Sequence, residues 1–271
     1  MTIRRSYIDG RWGHIHLRVA QGKKTDAPPL LMLHPTPKSG WIWEPLMPVL
    51  AGGRTVIAPD TPGYGASDAP PAPVAIIDLA QEMLDMMGRL ADDGLIPAGA
   101  FDIVGYHTGS VIAVAMADAA PDRVRRIIPV SLPLYDAPER ARRMARVAGG
   151  PPIADDGSHL TAMWDHMQSL FDARIDTLWK QESLTENLRS GQRAYWGYAA
   201  VYGYDLADAL PRLRQPVLLI APEDDLWEPT RHAAPLIADG QLLPLPGAGH
   251  GLFVLERDII CRAVDDFLTA A

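Results

Sequence analysis

The run Phe101-Asp102-Ile103-Val104 leads into Gly105-Tyr106-His107-Thr108-Gly109, and the chain continues as Ser110-Val111-Ile112-Ala113-Val114-Ala115-Met116-Ala117. Apolar, β-branched residues, then a turn bracketed by glycines, then small helix formers: this order describes a strand that reverses sharply into a helix. A tight reversal of that kind strains the backbone at its apex and needs small neighbours on both sides. The context is that of a G-x-S-x-G nucleophile elbow. Its apex, however, carries the imidazole of His107 instead of a serine hydroxyl.

Around this element the chain alternates short apolar runs with amphipathic segments. Two short strands in a hairpin are expected between Tyr7 and Val19, around the turn signal Asp9-Gly10. Pro29–Leu33, Thr55–Ala58, Arg126–Val130, Pro216–Ile220 and Gln241–Leu243 read as further strands. Helices are expected near Trp43–Leu50, over Val74–Leu90 with Ile76, Leu79, Met83, Met86 and Leu90 on one face, and over Glu256–Leu268. Alternating strands and helices predict an α/β architecture with a mainly parallel central sheet covered on both faces. Ligands of such sheets lie beyond the carboxyl ends of the strands. His34, His107, Asp225 and His250 all fall at such ends.

The pattern breaks between Leu134 and Ala209, where no strong strand run appears. Helical segments around Asp155–Phe171 and Leu188–Tyr204 carry Trp164, Tyr195, Trp196, Tyr198, Tyr202 and Tyr204, with Trp179 between them. The expectation is a helical cap over residues 134–209, inserted into a core formed by residues 1–133 and 210–271. Some of its aromatic side chains would line an apolar pocket above His107, and the others would pack the cap helices together.

Composition narrows the function classes. With 271 residues, 48% hydrophobic content and a formal net charge of −8, the chain can bury a large core but lacks the basic footprint of a nucleic-acid binder. A small-molecule substrate is the expected partner. No apolar run reaches the ~18 residues of a membrane span. No apolar region follows the charges of Met1–Tyr7, so a cytoplasmic location without a signal peptide is expected. Assembly as a homodimer is left open. The single cysteine, Cys261, excludes an intrachain disulfide and reads as a small buried helix residue.

Five motifs in order give the chain a resemblance to the α/β-hydrolase superfamily, nearest its capped branch of carbon–carbon bond hydrolases, epoxide hydrolases, haloalkane dehalogenases and cofactor-free esterases. His34-Pro35-Thr36-Pro37 is similar to that branch's His-Gly-x-Pro oxyanion loop, with Pro35 in place of glycine. Pro59-Asp60-Thr61-Pro62-Gly63-Tyr64-Gly65-Ala66-Ser67 is similar to its D-x-x-G-x-G-x-S turn, and the elbow is the third motif. Asp225, followed by Leu226-Trp227-Glu228-Pro229, stands where the family keeps its triad acid, and Gly249-His250 where it keeps its histidine.

The resemblance implies an α/β-hydrolase fold. It also implies His250 oriented by Asp225 as general base and backbone N–H groups of Thr36 and Thr108 as oxyanion donors. Asp224 and Glu223 are expected to be surface or structural residues, with Asp136 a reserve acid. His34, Tyr106, Trp164, Trp196 and Trp227 are the pocket candidates, His34 being usually structural in the family. His107 departs from the family's serine or aspartate, so a covalent mechanism does not carry over unchanged. Its imidazole could serve as general base or nucleophile, or merely fill the pocket. Thr108 and Ser110 do not occupy the apex. His34, His107 and His250 could in principle gather round a metal, but their spacing carries no metal signature, and neither metal nor cofactor is expected.

The leading expectation is therefore hydrolysis of a small apolar ester, lactone or carbon–carbon substrate. The alternatives are a cofactor-free lyase or isomerase using His107 and His250 as an acid–base pair, and a non-catalytic ligand-binding relative.

Overall fold

Eight strands form one sheet in the order β1-β2-β4-β3-β5-β6-β7-β8. They are β1 (Ile3–Gly10), β2 (Gly13–Gln21), β3 (Leu30–Leu33), β4 (Thr55–Pro59), β5 (Phe101–Tyr106), β6 (Val124–Val130), β7 (Val217–Pro222) and β8 (Gly240–Leu245). The computed structural model describes residues 1–22, 27–147 and 153–270. The hairpin of β1 and β2 is antiparallel and joins β4 antiparallel, while β4 through β8 pair in parallel. The hairpin starts at Ile3, earlier than the sequence pattern suggests, because the exposed residues of β1 carry no apolar alternation.

Period-two geometry divides each central strand between two cores. Phe101 and Ile103 of β5 and Leu31 and Leu33 of β3 enter one cluster with Val217 and Leu219 of β7. Their neighbours Val104, Tyr106, Leu30, Met32, Leu218 and Ile220 enter the other. The first cluster is covered by α2 (Ile76–Asp92) and α3 (Thr108–Ala119). On the second face lie α1 (Met47–Leu50), preceded by a short 3-10 turn at Gly40–Trp43, and the C-terminal helix at Arg257–Thr269. Cys261 is buried there, as its pattern suggests.

The chain leaves β3 towards β4 on one side and returns to pair β5 on the other. The loops after β3 and β5 therefore part at a topological switch point, which opens a crevice at the carboxyl ends of the strands. Between β6 and β7 the described residues form α4 (Ala137–Val147), α5 (Ser158–Leu170), α6 (Thr177–Arg189), α7 (Trp196–Gly203) and α8 (Leu206–Ala209). Trp179, expected between helices, lies within α6. The insertion is tied down by a bridge between Phe171 and His250 and by the bond from Asp172 N–H to the His250 carbonyl at 3.2 Å. After β7 come α9 (Trp227–Ala233), α10 (Leu252–Leu255) and the C-terminal helix, α11. Among the described residues, no helix is long and apolar enough to cross a membrane.

Candidate active site

Close backbone packing creates the turn that carries His107. A Cβ on Gly109 would stand 2.0 Å from the Leu33 carbonyl oxygen, and one on Gly105 would stand 2.3 Å from the Gly109 oxygen. Only glycine lets α3 press against β3 and β5 at that point. The apex absorbs the bend: His107 has φ 50° and ψ −113°. A non-glycine residue held there stores ~1–3 kcal/mol of strain. Ser131, at the end of the adjacent β6, is held similarly at φ 52°.

Both strained residues point to one carboxylate. The Nε2–H of His107 donates to Asp224 Oδ2 at 3.1 Å, and Ser131 Oγ–H donates to the same oxygen at 2.6 Å. The Leu226 N–H donates to Oδ1 at 2.9 Å. The Asp224 side chain is completely buried. Burial works against its charge, but the bond and charge of His107, the Ser131 hydroxyl and the charge of His250 outweigh it and hold the carboxyl below its ordinary value. For His107, burial disfavours the cation, yet the hydrogen bond to Asp224 and the charges of Asp224 and Asp225 prevail and raise its pKa. The expectation that Asp224 is merely structural is thus corrected. It is the partner of the apex imidazole, and the signal for it was the second acid at the end of β7.

A second pair lies alongside. His250 Nε2–H donates to Asp225 Oδ1 at 2.8 Å, and the Asp225 side chain is 55% exposed. Burial raises its carboxyl, but the bond to His250 and the two imidazoles bring it down to about 2. The ring centroids of His107 and His250 are 5.6 Å apart. Tyr106 O–H reaches His250 Nδ1 at 3.5 Å, a long contact. Burial, reinforced by the two aspartates, raises the phenol pKa well above the ordinary value and keeps it a neutral donor. In both pairs the carboxylate engages Nε2, leaving Nδ1 as the ring nitrogen free of a carboxylate.

Both imidazoles, Asp225 and Tyr106 line a cavity of about 410 Å³ with Thr36, Lys38, His166, Phe171, Trp179 and Tyr198 among its other walls. Tyr106 lies where the sequence suggested. His34 does not reach the cavity: it is buried, its Nε2 accepts the Thr61 N–H at 2.9 Å and its Nδ1–H donates to the Pro35 carbonyl at 3.0 Å. With both nitrogens occupied, it braces the loop from behind. Burial lowers its pKa against the raising influence of Asp60. Trp196 lines a different cavity, with Pro70, Pro71 and Arg193. Trp164 and Trp227 are half-buried and do not line the cavity of the two imidazoles, and Trp227 packs against the Arg231 guanidinium. Asp136 is exposed and accepts the Glu139 N–H at the start of α4, so it serves no imidazole. Among the walls that sequence reasoning missed, Lys38 and Asn187 sit in stretches without apolar periodicity.

Thr36 lines the cavity, and Thr108 is the first residue of α3, immediately after the apex. The first N–H groups of a helix have no intrahelical acceptor and carry its partial positive charge. The inserted helices reach this loop directly. Tyr198 O–H donates to the Thr36 carbonyl at 3.0 Å, and Gly197 N–H donates to Tyr64 Oη at 2.7 Å. A Cβ on Gly197 would lie 2.0 Å from Thr36 Oγ1, so α7 can sit here only through a glycine.

His107, Asp225 and His250 also offer donor atoms that all lie within 4.8 Å of one another. Two imidazoles and a carboxylate form a donor set suited to a divalent transition metal. His34, considered for such a set from sequence, is not part of it.

The model of the alpha/beta hydrolase fold family matches residues 28–256. Among curated proteins, the 2-(acetamidomethylene)succinate hydrolase of Mesorhizobium japonicum is 26% identical, over 95% of this chain and 93% of its own length. Among solved structures, the enol-lactonase of Burkholderia xenovorans LB400 superposes with a TM-score of 0.81 at 21% identity, covering 98% of this chain and 100% of its own. A thermophilic esterase from Thermogutta terrifontis gives 0.79 at 23% identity, with 98% of each chain covered.

Proposed function

We infer the chemistry from one premise: the chain belongs to the alpha/beta hydrolase fold family. It is a hydrolase that acts on a small, largely apolar ester, lactone or carbon–carbon substrate, held under a cap of residues 134–209 on a core of residues 1–133 and 210–271. The observation that carries this reading is the pair of His–Asp dyads facing one cavity. Relatives named as a hydrolase, a lactonase and an esterase support it.

In this reading His107 is the general base. Asp224 holds its Nε2–H, so Nδ1 carries the lone pair that takes a proton from water. The proton taken by His107 passes to Nδ1 of His250, whose ring is fixed by Asp225, and from there to the leaving group. Two imidazoles this close do not readily hold two positive charges, so one stays neutral while the other is protonated. The N–H groups of Thr36 and Thr108 receive the negative charge that builds on the carbonyl oxygen. The walls Ile42, Phe171, Trp179 and Phe253 supply apolar contact.

Turnover in water labelled with heavy oxygen tests the reaction class. Hydrolysis places label in the new carboxyl group. Because the dyads also suit proton shuttling, a product that exchanges hydrogen at carbon and gains no oxygen would replace hydrolysis with isomerase or lyase chemistry.

Asp224 gives a further prediction. Only unprotonated His107 is a base, so activity rises with pH through its raised pKa. Asp224→Asn removes the charge that raises that pKa, so the acid limb of the kcat/KM profile should move to lower pH while the maximum falls. A limb that stays in place would assign the titration to another group.

A further inference from the structure

The cavity has polar wall residues that this chemistry leaves unused. Lys38 enters its wall from the loop after β3. Its Nζ donates to the Ser183 carbonyl at 2.8 Å and to the Ser183 hydroxyl, both on α6. Among the described residues it makes no ion pair. Glu186 is near enough to exert a field on it but lies 3.5 Å from Arg189 instead. An ammonium has three N–H donors, and the protein's bonds to this one go to a single neutral residue.

Asn187 stands in the same wall and is equally uncommitted. Its Oδ1 is buried without a partner, and its Nδ2–H rests on the Met167 sulfur at 3.2 Å, a weak acceptor. A lysine ammonium is expensive to bury without a counter-ion. A ligand that brought one would satisfy the ammonium and give the Asn187 Nδ2–H a stronger acceptor than sulfur, while the Asn187 Oδ1 would be left for a donor.

We propose that Lys38 and Asn187 form a subsite for a carboxylate on the non-reacting end of the substrate, so that the substrate class is a short ester or lactone bearing a free carboxylate. The subsite rests on the hydrolytic reading for its catalytic meaning, though not for its ability to bind. Burial, only partly offset by Glu186, brings the Lys38 pKa down to about 7, and a bound carboxylate would restore the charged form.

The test compares p-nitrophenyl hydrogen glutarate with p-nitrophenyl valerate, which are matched in length and differ in one carboxylate. Charge-assisted hydrogen bonds discriminate by ~10-fold or more. The wild-type protein should favour the acid by at least ~10-fold in kcat/KM. Lys38→Met should erase that ratio mainly through KM, and Lys38→Arg should restore most of it. A calorimetric titration with glutarate reads binding without turnover. Equal ratios in wild type and Lys38→Met would overturn the subsite while leaving the hydrolytic reading standing. If neither ester is cleaved but glutarate binds the wild type and not Lys38→Met, the subsite stands and the hydrolytic reading falls.

Discussion

Replacing His107 with alanine should lower the turnover of a carboxylic ester by at least ~10²-fold, the low end for loss of a positioned acid–base group. Alanine also leaves Asp224 buried with only Ser131 and the Leu226 N–H for company. A fall in activity could then come from a disturbed fold. His107→Gln separates the two causes, because its amide can still donate towards Asp224 but cannot take a proton from water. Both variants should be inactive, and the glutamine variant should keep its thermal unfolding midpoint close to that of the wild type. Unchanged rates for both across a panel of esters and lactones would remove His107 from the mechanism. His107→Ser is a complementary probe: ester cleavage by it would show that the rest of the machinery supports an oxygen nucleophile at the apex.

The second large effect is on stability. Asp60 is fully buried, and its oxygens accept from Arg18 Nη1 at 2.6 Å, Gly40 N at 2.8 Å, His16 Nδ1 at 2.9 Å and Ala66 N at 2.9 Å. Asp60→Ala takes one of the two carboxylates from the buried Arg18 guanidinium, which keeps Glu44 at 2.8 Å, and strands His16 Nδ1 and the two backbone donors, which together costs about 3 kcal/mol. A urea titration should show a correspondingly lower midpoint with an unchanged slope. Asp60→Asn should lose less, since the amide oxygen still accepts.

The pH dependence has a definite sign. Burial raises the Asp60 carboxyl, but the His16 bond and the Arg18 and His34 charges bring it to about 2 in the folded protein. The unfolded value is near ~3.9. The stabilisation is therefore fully present above about pH 4 and is lost as pH falls through about 2. Asp60→Asn should remove that component of acid sensitivity, and a variant with the wild-type slope in this range would contradict the assignment.

What could be read from sequence follows from physics that is local. Strand runs such as Phe101–Tyr106 and the apolar stripe of α2 report their own burial, and both appear as elements of the structure. The family and its fold were legible because the glycine-bracketed turns are dictated by backbone clearance, as at Gly105 and Gly109. Two inserted helices were hidden for the opposite reason. No residue of α4 is buried, and α6 buries only Ser183 and Glu186, so neither presents an apolar stripe to read.

The pairing of His107 with Asp224 was also out of reach. The sequence places two acids after β7, but which imidazole each faces depends on how β5, β6 and β7 align, and Ser131 completes the contact from a third strand end. In the same way the turn around Asp60 was visible as a motif. Its two side-chain partners, His16 and Arg18, come from β2, and no local spacing announces them.

The hydroxyl of Tyr198 on the Thr36 carbonyl ties α7 of the insertion to the loop after β3. Were α7 to shift, the Thr36 peptide would lose that tether, so the placement of this loop depends on the insertion packed above it.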